Sequence, residues 1–336
     1  MIRTTGAARW PLSALVFVIL AVPPAGCSRA ASGTATAFAS LDAAARAHLA
    51  TLAKGLVAGD AAVASALSTG EVADQDGVNA RARGEQSRAG APIDFGFDVL
   101  SVASHPLDGG AADFVAYEKI RWHQSGSAAN LIELYHREGL SAPWRAAYRI
   151  YLEDNVEPPV LRLDRKGHGH LLSPAEAATA AAQPANLAAR YAAAVTVPPT
   201  SAGRSAGAFA PGQYTSGERE AAAEFEAVAA DHGHGSRQWE AEPGGETVAV
   251  AGGVLSFATL QEVDTLHCNT VGATHFFVVQ DATRVQFGGL LAPGHYADVV
   301  SRTSVMVGVV VAAATPPDVV GRSAQVVAIE GQPVVI

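Results

Sequence analysis

Hydrophobic positions recur along this chain with two different periods. Leu41, Ala45, Leu49, Leu52 and Leu56 follow the three- and four-residue spacing of one helix face. Ser40 stands where a helix N-cap is expected, with Asp42 in the positive first turn. Gly59 ends this helix, and Asp60 can cap a second that carries Val63 and Leu67. Residues 71–90 are polar, contain Gly77, Gly84 and Gly90, and read as a loop with a weak helix. From Phe95 the period changes to two: Phe95, Phe97 and Val99 alternate with Gly96, Asp98 and Leu100. Stretches 114–122, 131–136 and 144–152 continue as strands, separated by Asp108-Gly109-Gly110, Gln124-Ser125-Gly126 and residues 139–143. Neighbouring strands with short turns predict an antiparallel meander, one face of which the preceding helices cover.

A second pattern follows. Ser173-Pro174-Ala175-Glu176 is a capping box with Pro at the first helical position. It opens an Ala-rich helix that breaks at Pro184, resumes through Leu187 and Tyr191, and stops at Pro198-Pro199. Thr215-Ser216-Gly217-Glu218 reads as another capping box, ahead of a stripe of Ala222, Phe225, Val228 and Ala229. Past Glu246 the chain turns valine-rich, and 248–250, 254–263, 275–279, 284–288, 296–300, 304–311 and 325–329 read as strands. Residues 304–311 are apolar at nearly every position, which predicts a central strand. The expected fold class is α+β with two domains, 41–157 and 206–336, joined by a linker at 158–205. Each would pack N-terminal helices on a curved antiparallel sheet, the first of them cone-like.

Charge and the amino terminus add a location. The 336 residues hold 23 Lys and Arg against 32 Asp and Glu, a net charge of −9, with no long basic run. This argues against a nucleic acid partner. Arg3 and Arg9 precede an apolar stretch at 12–22, which has the length of a signal-peptide core and is too short to span a bilayer as a helix. Pro23-Pro24 ends it, and Ala25-Gly26-Cys27-Ser28 resembles the lipobox of bacterial lipoproteins. Pro24 departs from the Leu or Val usual there. The resemblance implies a signal peptide at 1–26, palmitate-type lipidation of Cys27, a tether at 27–40, and a chain held by lipid on the extracytoplasmic face of the membrane. Cleavage near Ala30 to a secreted protein, or an uncleaved anchor, are the alternatives. With Cys27 lipidated, Cys268 has no intrachain disulfide partner.

Two wider resemblances follow. Helix, Gly-Asp break, helix and a meander ending in Pro143-Trp144-Arg145 resembles the nuclear transport factor 2-like cone fold over about residues 41–155. That fold serves isomerases, dehydratases and many non-enzymes, so it implies little chemistry. The segments PWRAAYRIYLED, GHGHLLSPAE, FAPGQYTSGERE and PGHYADVVSRTSVMVGVVV are similar to a lipoprotein family of high-GC Gram-positive bacteria whose C-terminal region is a domain of unknown function. Three lysines to twenty arginines fit such a genome. No site residue carries over from it.

Candidate chemistry is sparse. Gly203-Arg204-Ser205-Ala206-Gly207 matches a nucleophile-elbow pattern but lacks the preceding strand that the chemistry needs. His168 and His170, and His232 and His234, are metal-like pairs that would have to converge to give three or four ligands; polar loop residues are the simpler reading. A cone pocket would draw on Asp98, Tyr117, Tyr135 and His136, the acid–base and donor types on the strands. His267 and Cys268 are adjacent on a strand and so face apart. No cofactor is called for. The expectation is a non-catalytic lipoprotein that binds an envelope protein or component, or a small ligand. A cone-fold pocket enzyme and a His-based metal-binding protein are the alternatives.

Overall fold

The computed structural model describes residues 32–88, 95–106, 112–122, 128–139, 141–152, 156–163, 169–196, 209–230, 233–268, 277–279 and 289–334. Three helices come first: α1 (Ser32–Ala58), α2 (Ala61–Ala66) and α3 (Gly70–Arg88). The predicted stripe is the buried face of α1, with Leu41, Ala45, Leu49 and Leu52 all in the core. Asp60 caps α2, its carboxylate accepting the Val63 N–H at 3.0 Å. Gly59 takes φ +70°, and a Cβ there would lie 2.6 Å from the Gly84 Cα of α3. Two expectations need correction. The first helix begins at Ser32, inside the stretch read as tether, so Ser40 is not its cap. Residues 70–88 form a full helix rather than a loop. The apolar period of α3 was hidden because its buried side includes Gln75 and Asp76 beside Val72, Val78 and Ala80.

The meander follows as β1 (Phe95–Pro106), β2 (Ala112–Trp122), β3 (Ala128–Arg137) and β4 (Arg145–Leu152). Helices α4 (Pro174–Thr179), α5 (Pro184–Val195) and α6 (Glu218–Ala230) come next. Ser173 and Glu176 close the expected capping box of α4. Thr215 does not cap α6: it sits in a π-helical turn, Gln213–Gly217, and its hydroxyl donates to the Ala210 carbonyl at 2.8 Å. The remaining strands are β5 (Gly233–Ala241), β6 (Thr247–Val250), β7 (Gly253–Cys268), β8 (Phe277–Val279), β9 (Gly294–Ala312) and β10 (Asp318–Pro333). Strand β9 runs unbroken through both 296–300 and 304–311 and lies between β7 and β10, the central place its apolar run predicts.

The class is α+β, with helices packed on antiparallel strands. The strands described form one sheet in the order β1-β2-β3-β4-β10-β9-β7-β5, with β6 on β7 and β8 on β9. The meander meets the C-terminal strands through a short ladder, Leu152 opposite Gly321 and Tyr151 opposite Arg322. Glycine makes that junction possible. Gly308 of β9 pairs directly with Gly321 of β10. A Cβ on Gly308 would lie 2.1 Å from Ile150 Cδ1, and one on Gly321 would lie 3.3 Å from the same atom. The missing side chains leave a dent that Ile150, fully buried, fills. A single core therefore runs from Phe114 and Tyr135 through Ile150 to Leu255, Phe257 and Met306. A second core lies under α5, where Leu187 and Tyr191 meet Val305 and Val307. Helix α3 ties the two strand sets. Gln75 donates to the Ser304 carbonyl at 3.2 Å and accepts from the Ser323 hydroxyl at 2.6 Å, while Asp76 pairs with Arg149 of β4.

Candidate functional site

Strand register assembles a buried ionisable cluster beneath α1 and α3. Glu133 of β3 stands opposite Arg149 of β4, and Phe114 of β2 opposite Tyr135 of β3. Arg149 donates through Nε to Glu133 and through Nη1 to Asp76. Ser68 donates to the other oxygen of Asp76 at 2.6 Å. The Tyr135 hydroxyl lies between two carboxyl groups, within reach of Glu133 and 2.9 Å from Glu118 Oε1. Phe114 stacks on the Tyr135 ring at 4.5 Å, and His48 of α1 meets it edge-on at 4.9 Å. Glu118, Glu133 and Tyr135 are fully buried, Asp76 is 1% exposed, and His48 and Arg149 are 5% exposed.

Burial decides the charges here. Desolvation, with Glu133 as a neighbour, pushes the Glu118 carboxyl well up. Burial also lifts Glu133, but Arg149 outweighs it and holds that carboxyl low. Burial opposes the Arg149 charge, yet Asp76 and Glu133 together raise its pKa well above normal. A phenol has one proton to give. Tyr135 therefore donates to the ionised Glu133 and accepts from a protonated Glu118. Burial lowers the pKa of His48, which leaves it neutral. Neither ring nitrogen of His48, nor Glu118 Oε2, has a hydrogen-bond partner among the described residues. Asp76, Glu133, Tyr135 and Arg149 are paired chiefly with one another.

The accessible polar groups lie at the rim of the same strands. Asp113, His136 and Arg145 stand in one row across β2, β3 and β4. Asp113 holds His136 Nδ1 at 2.7 Å, and the imidazole is 36% exposed. Its Nε2 is the nitrogen left for the cleft alongside, a space of about 200 Å³ lined also by Thr69, Arg137, Glu138 and Arg145. Arg137 lies 4.4 Å over the Trp144 ring, and its Nε is buried with no hydrogen-bond partner among the described residues. A carboxylate–imidazole pair opening on a cleft can orient a proton acceptor or hold a polar ligand.

The four pocket candidates do not share one cavity. Tyr135 and His136 are consecutive, so they point to opposite faces of the sheet, one into the closed cluster and one to the rim. Tyr117 donates to the Pro159 carbonyl, is 6% exposed, and has its pKa raised by burial, so it is a core residue. Asp98 stands opposite Lys119 on β1, with its side chain outside the described residues. Of the metal candidates, His170 pairs with Glu176 at 3.2 Å and His234 stands on β5 opposite His267. His168, His232, Cys27 and residues 203–207 lie outside the described residues. Among those described, no three His, Cys, Asp or Glu residues come together as a metal site. Cys268 is buried at the end of β7, and His267 pairs with Asp298. The sequence reading missed His48, Asp76, Glu118, Glu133 and Arg149. The available signal was a carboxylate at a buried position of a period-two strand, at Glu118 and again at Glu133.

A second charged cluster lies beneath α6. Arg237 of β5 grips Asp264 at 2.7 Å and reaches Glu262 of β7 at 3.1 Å. Arg322 of β10 reaches Glu262 at 3.1 Å and Glu218 of α6 at 2.5 Å, with its guanidinium 5.6 Å from the Trp239 ring. Burial lifts Glu262 to about 7 despite the two guanidiniums.

The molecule is thus an α+β protein whose two helix-covered strand sets share one antiparallel sheet. The chain belongs to the family described as Domain of unknown function (DUF8094), whose model matches residues 58–331, from the end of α1 to β10. No curated protein matches the chain.

Proposed function

We propose that this protein is a lipid-anchored extracytoplasmic lipoprotein that acts by binding an envelope component, a partner protein or a small ligand rather than by catalysis. The closed cluster carries the non-catalytic part of this reading. A cone-fold enzyme needs its acid, base and phenol facing a substrate, and here Glu118, Glu133, Tyr135 and Arg149 are spent on one another inside the core. The helices-then-meander order of α1 to β4 supports kinship with the nuclear transport factor 2-like cone. The anchor rests on Arg3, Arg9, the apolar run at 12–22 and Cys27. Several acyl chains on one cysteine would hold the chain stably at a bilayer, whereas one chain would not. Among the described residues no helix is long and apolar enough to cross a membrane. The test is Cys27→Ala in cells: release of the chain from the membrane fraction into the medium is expected, and retention of the variant in the membrane would refute the anchor.

One observation favours a second reading. The Asp113–His136 pair opens on the rim cleft and is an acid–base couple with a partly exposed imidazole. A pocket enzyme working there would lose turnover in His136→Ala with its fold intact. Wild-type survival of every activity found in the purified chain would remove it.

A further inference from the structure

The rim cleft carries more hydrogen-bonding capacity than the fold uses. Two guanidiniums line it, Arg137 from the end of β3 and Arg145 from the start of β4. Among the described residues no carboxylate pairs with either. Arg137 lies on the Trp144 ring at 4.4 Å, and its Nε is buried without a hydrogen-bond partner among those residues. Stacking fixes the plane of a guanidinium and leaves its edge donors for a ligand. Arg145 is exposed.

Two acceptors line the same space. Asp113 holds His136 Nδ1 at 2.7 Å. In a neutral ring that bond keeps the proton on Nδ1 and makes Nε2 an acceptor. Glu138, exposed, supplies a carboxylate, and Thr69 adds a hydroxyl that can donate or accept. Two further carboxyl groups stand nearby. Asp113 is already bonded to His136, and Glu246, of the β5–β6 turn, stands near that pair, is pushed up by burial, and is not part of the lining.

Backbone bonds fix the walls. The Thr69 N–H donates to the Ala146 carbonyl at 2.9 Å and the Ala146 N–H to that of Leu67 at 3.1 Å, which latches the α2–α3 turn onto β4. The Ala142 N–H donates to the Gly139 carbonyl at 3.0 Å within the β3–β4 turn. The space of about 200 Å³ is smaller than a drug-sized pocket of about 300–1,000 Å³, so it suits a single small ring or a short chain.

Guanidiniums take a carboxylate in a fork, while a carboxylate and a neutral imidazole take hydroxyl hydrogens. We propose that the rim cleft binds a small hydroxylated carboxylate of the sugar-acid type, with its carboxylate on Arg137 and Arg145 and its hydroxyls on His136 Nε2 and Glu138. The proposal rests on the binding-protein reading, for which it names a place and a ligand class, and is independent of the anchor.

The test is calorimetric titration of the full chain with four probes: glucuronate, its uncharged amide glucuronamide, acetate, which lacks the hydroxyls, and alanine, which has an ammonium in their place. Glucuronate should bind most tightly. Arg145→Glu, at an exposed position, should keep the wild-type circular dichroism and bind glucuronate at least about ten-fold more weakly, the loss of one charge-assisted contact. Ala142→Trp, which fills the cleft from its turn, should abolish binding with the fold kept. Unaltered glucuronate affinity in folded Arg145→Glu or Ala142→Trp would overturn the proposal. So would absence of glucuronate binding, or any other probe binding as tightly. Magnetic resonance of the recovered probe then separates this proposal from the reading beneath it. Glucuronate returned unchanged supports both. Glucuronate held through Arg145 but converted to a product keeps the ligand class and removes the non-catalytic reading.

Discussion

The two charged clusters use the same side chains in opposite ways. Beneath α1 and α3, one guanidinium serves two carboxylates, and a third carboxyl is kept protonated by burial. Beneath α6, two guanidiniums alternate with three carboxylates at 7–15% exposure. The first arrangement depends on a single cation with no solvent to replace it. The second shares its charge among several partners at the edge of the solvent. Burial depth and the ratio of cations to anions, rather than the number of ion pairs, set how much each member matters.

Removing the cation of the first cluster should be the largest effect. Arg149→Ala leaves Asp76 and Glu133 buried without a counter-charge, at a cost of about 3–5 kcal/mol in urea denaturation. A loss as small as that of Arg322→Ala, whose partners keep Arg237 and solvent, would erase the distinction between the clusters. The second effect is on pH. Glu262 is lifted from 4.5 to about 7, so between those values the unfolded chain ionises there and the folded chain does not. The contribution of Glu262 to stability is greatest below 4.5, falls as pH rises through this window, and levels off above about 7. Glu262→Gln should remove that slope, on the order of 3 kcal/mol, as read from melting temperatures across the range. The smallest effect belongs to Glu118. Since it is already neutral, Glu118→Gln should change stability by less than about 1 kcal/mol at pH 7. A loss comparable to that of Arg149→Ala would mean that Glu118 is ionised in the fold.

The sequence made some of this legible. Alternation gave the meander, and the stripe from Leu41 to Leu52 gave the face of α1 that is buried. Asp60 and Ser173 announced their caps because a single side chain satisfies a local backbone donor. The union of the strand sets was not read, because β4 and β10 are about 170 residues apart in sequence and meet through two residue pairs. Gly308 carried the clue: a glycine inside an unbroken apolar strand marks a close approach by another element. Helix α3 was missed because its inward face carries Gln75 and Asp76, which hydropathy scores as surface. The site was legible only as residue types. His136 does reach a cleft, but Tyr135 beside it was bound to face the other way, and Asp76 and Arg149, 73 residues apart, could be paired only by the fold.

Helix α3 has a mechanical consequence. Were the chain held at Cys27 as proposed, tension would pass from α1 through α2 into α3, and α3 would divide it. Asp76 loads β4 through Arg149, while Gln75 loads β9 and β10 through Ser304 and Ser323. The two strand sets would then resist in parallel, each keeping the other from being peeled away alone.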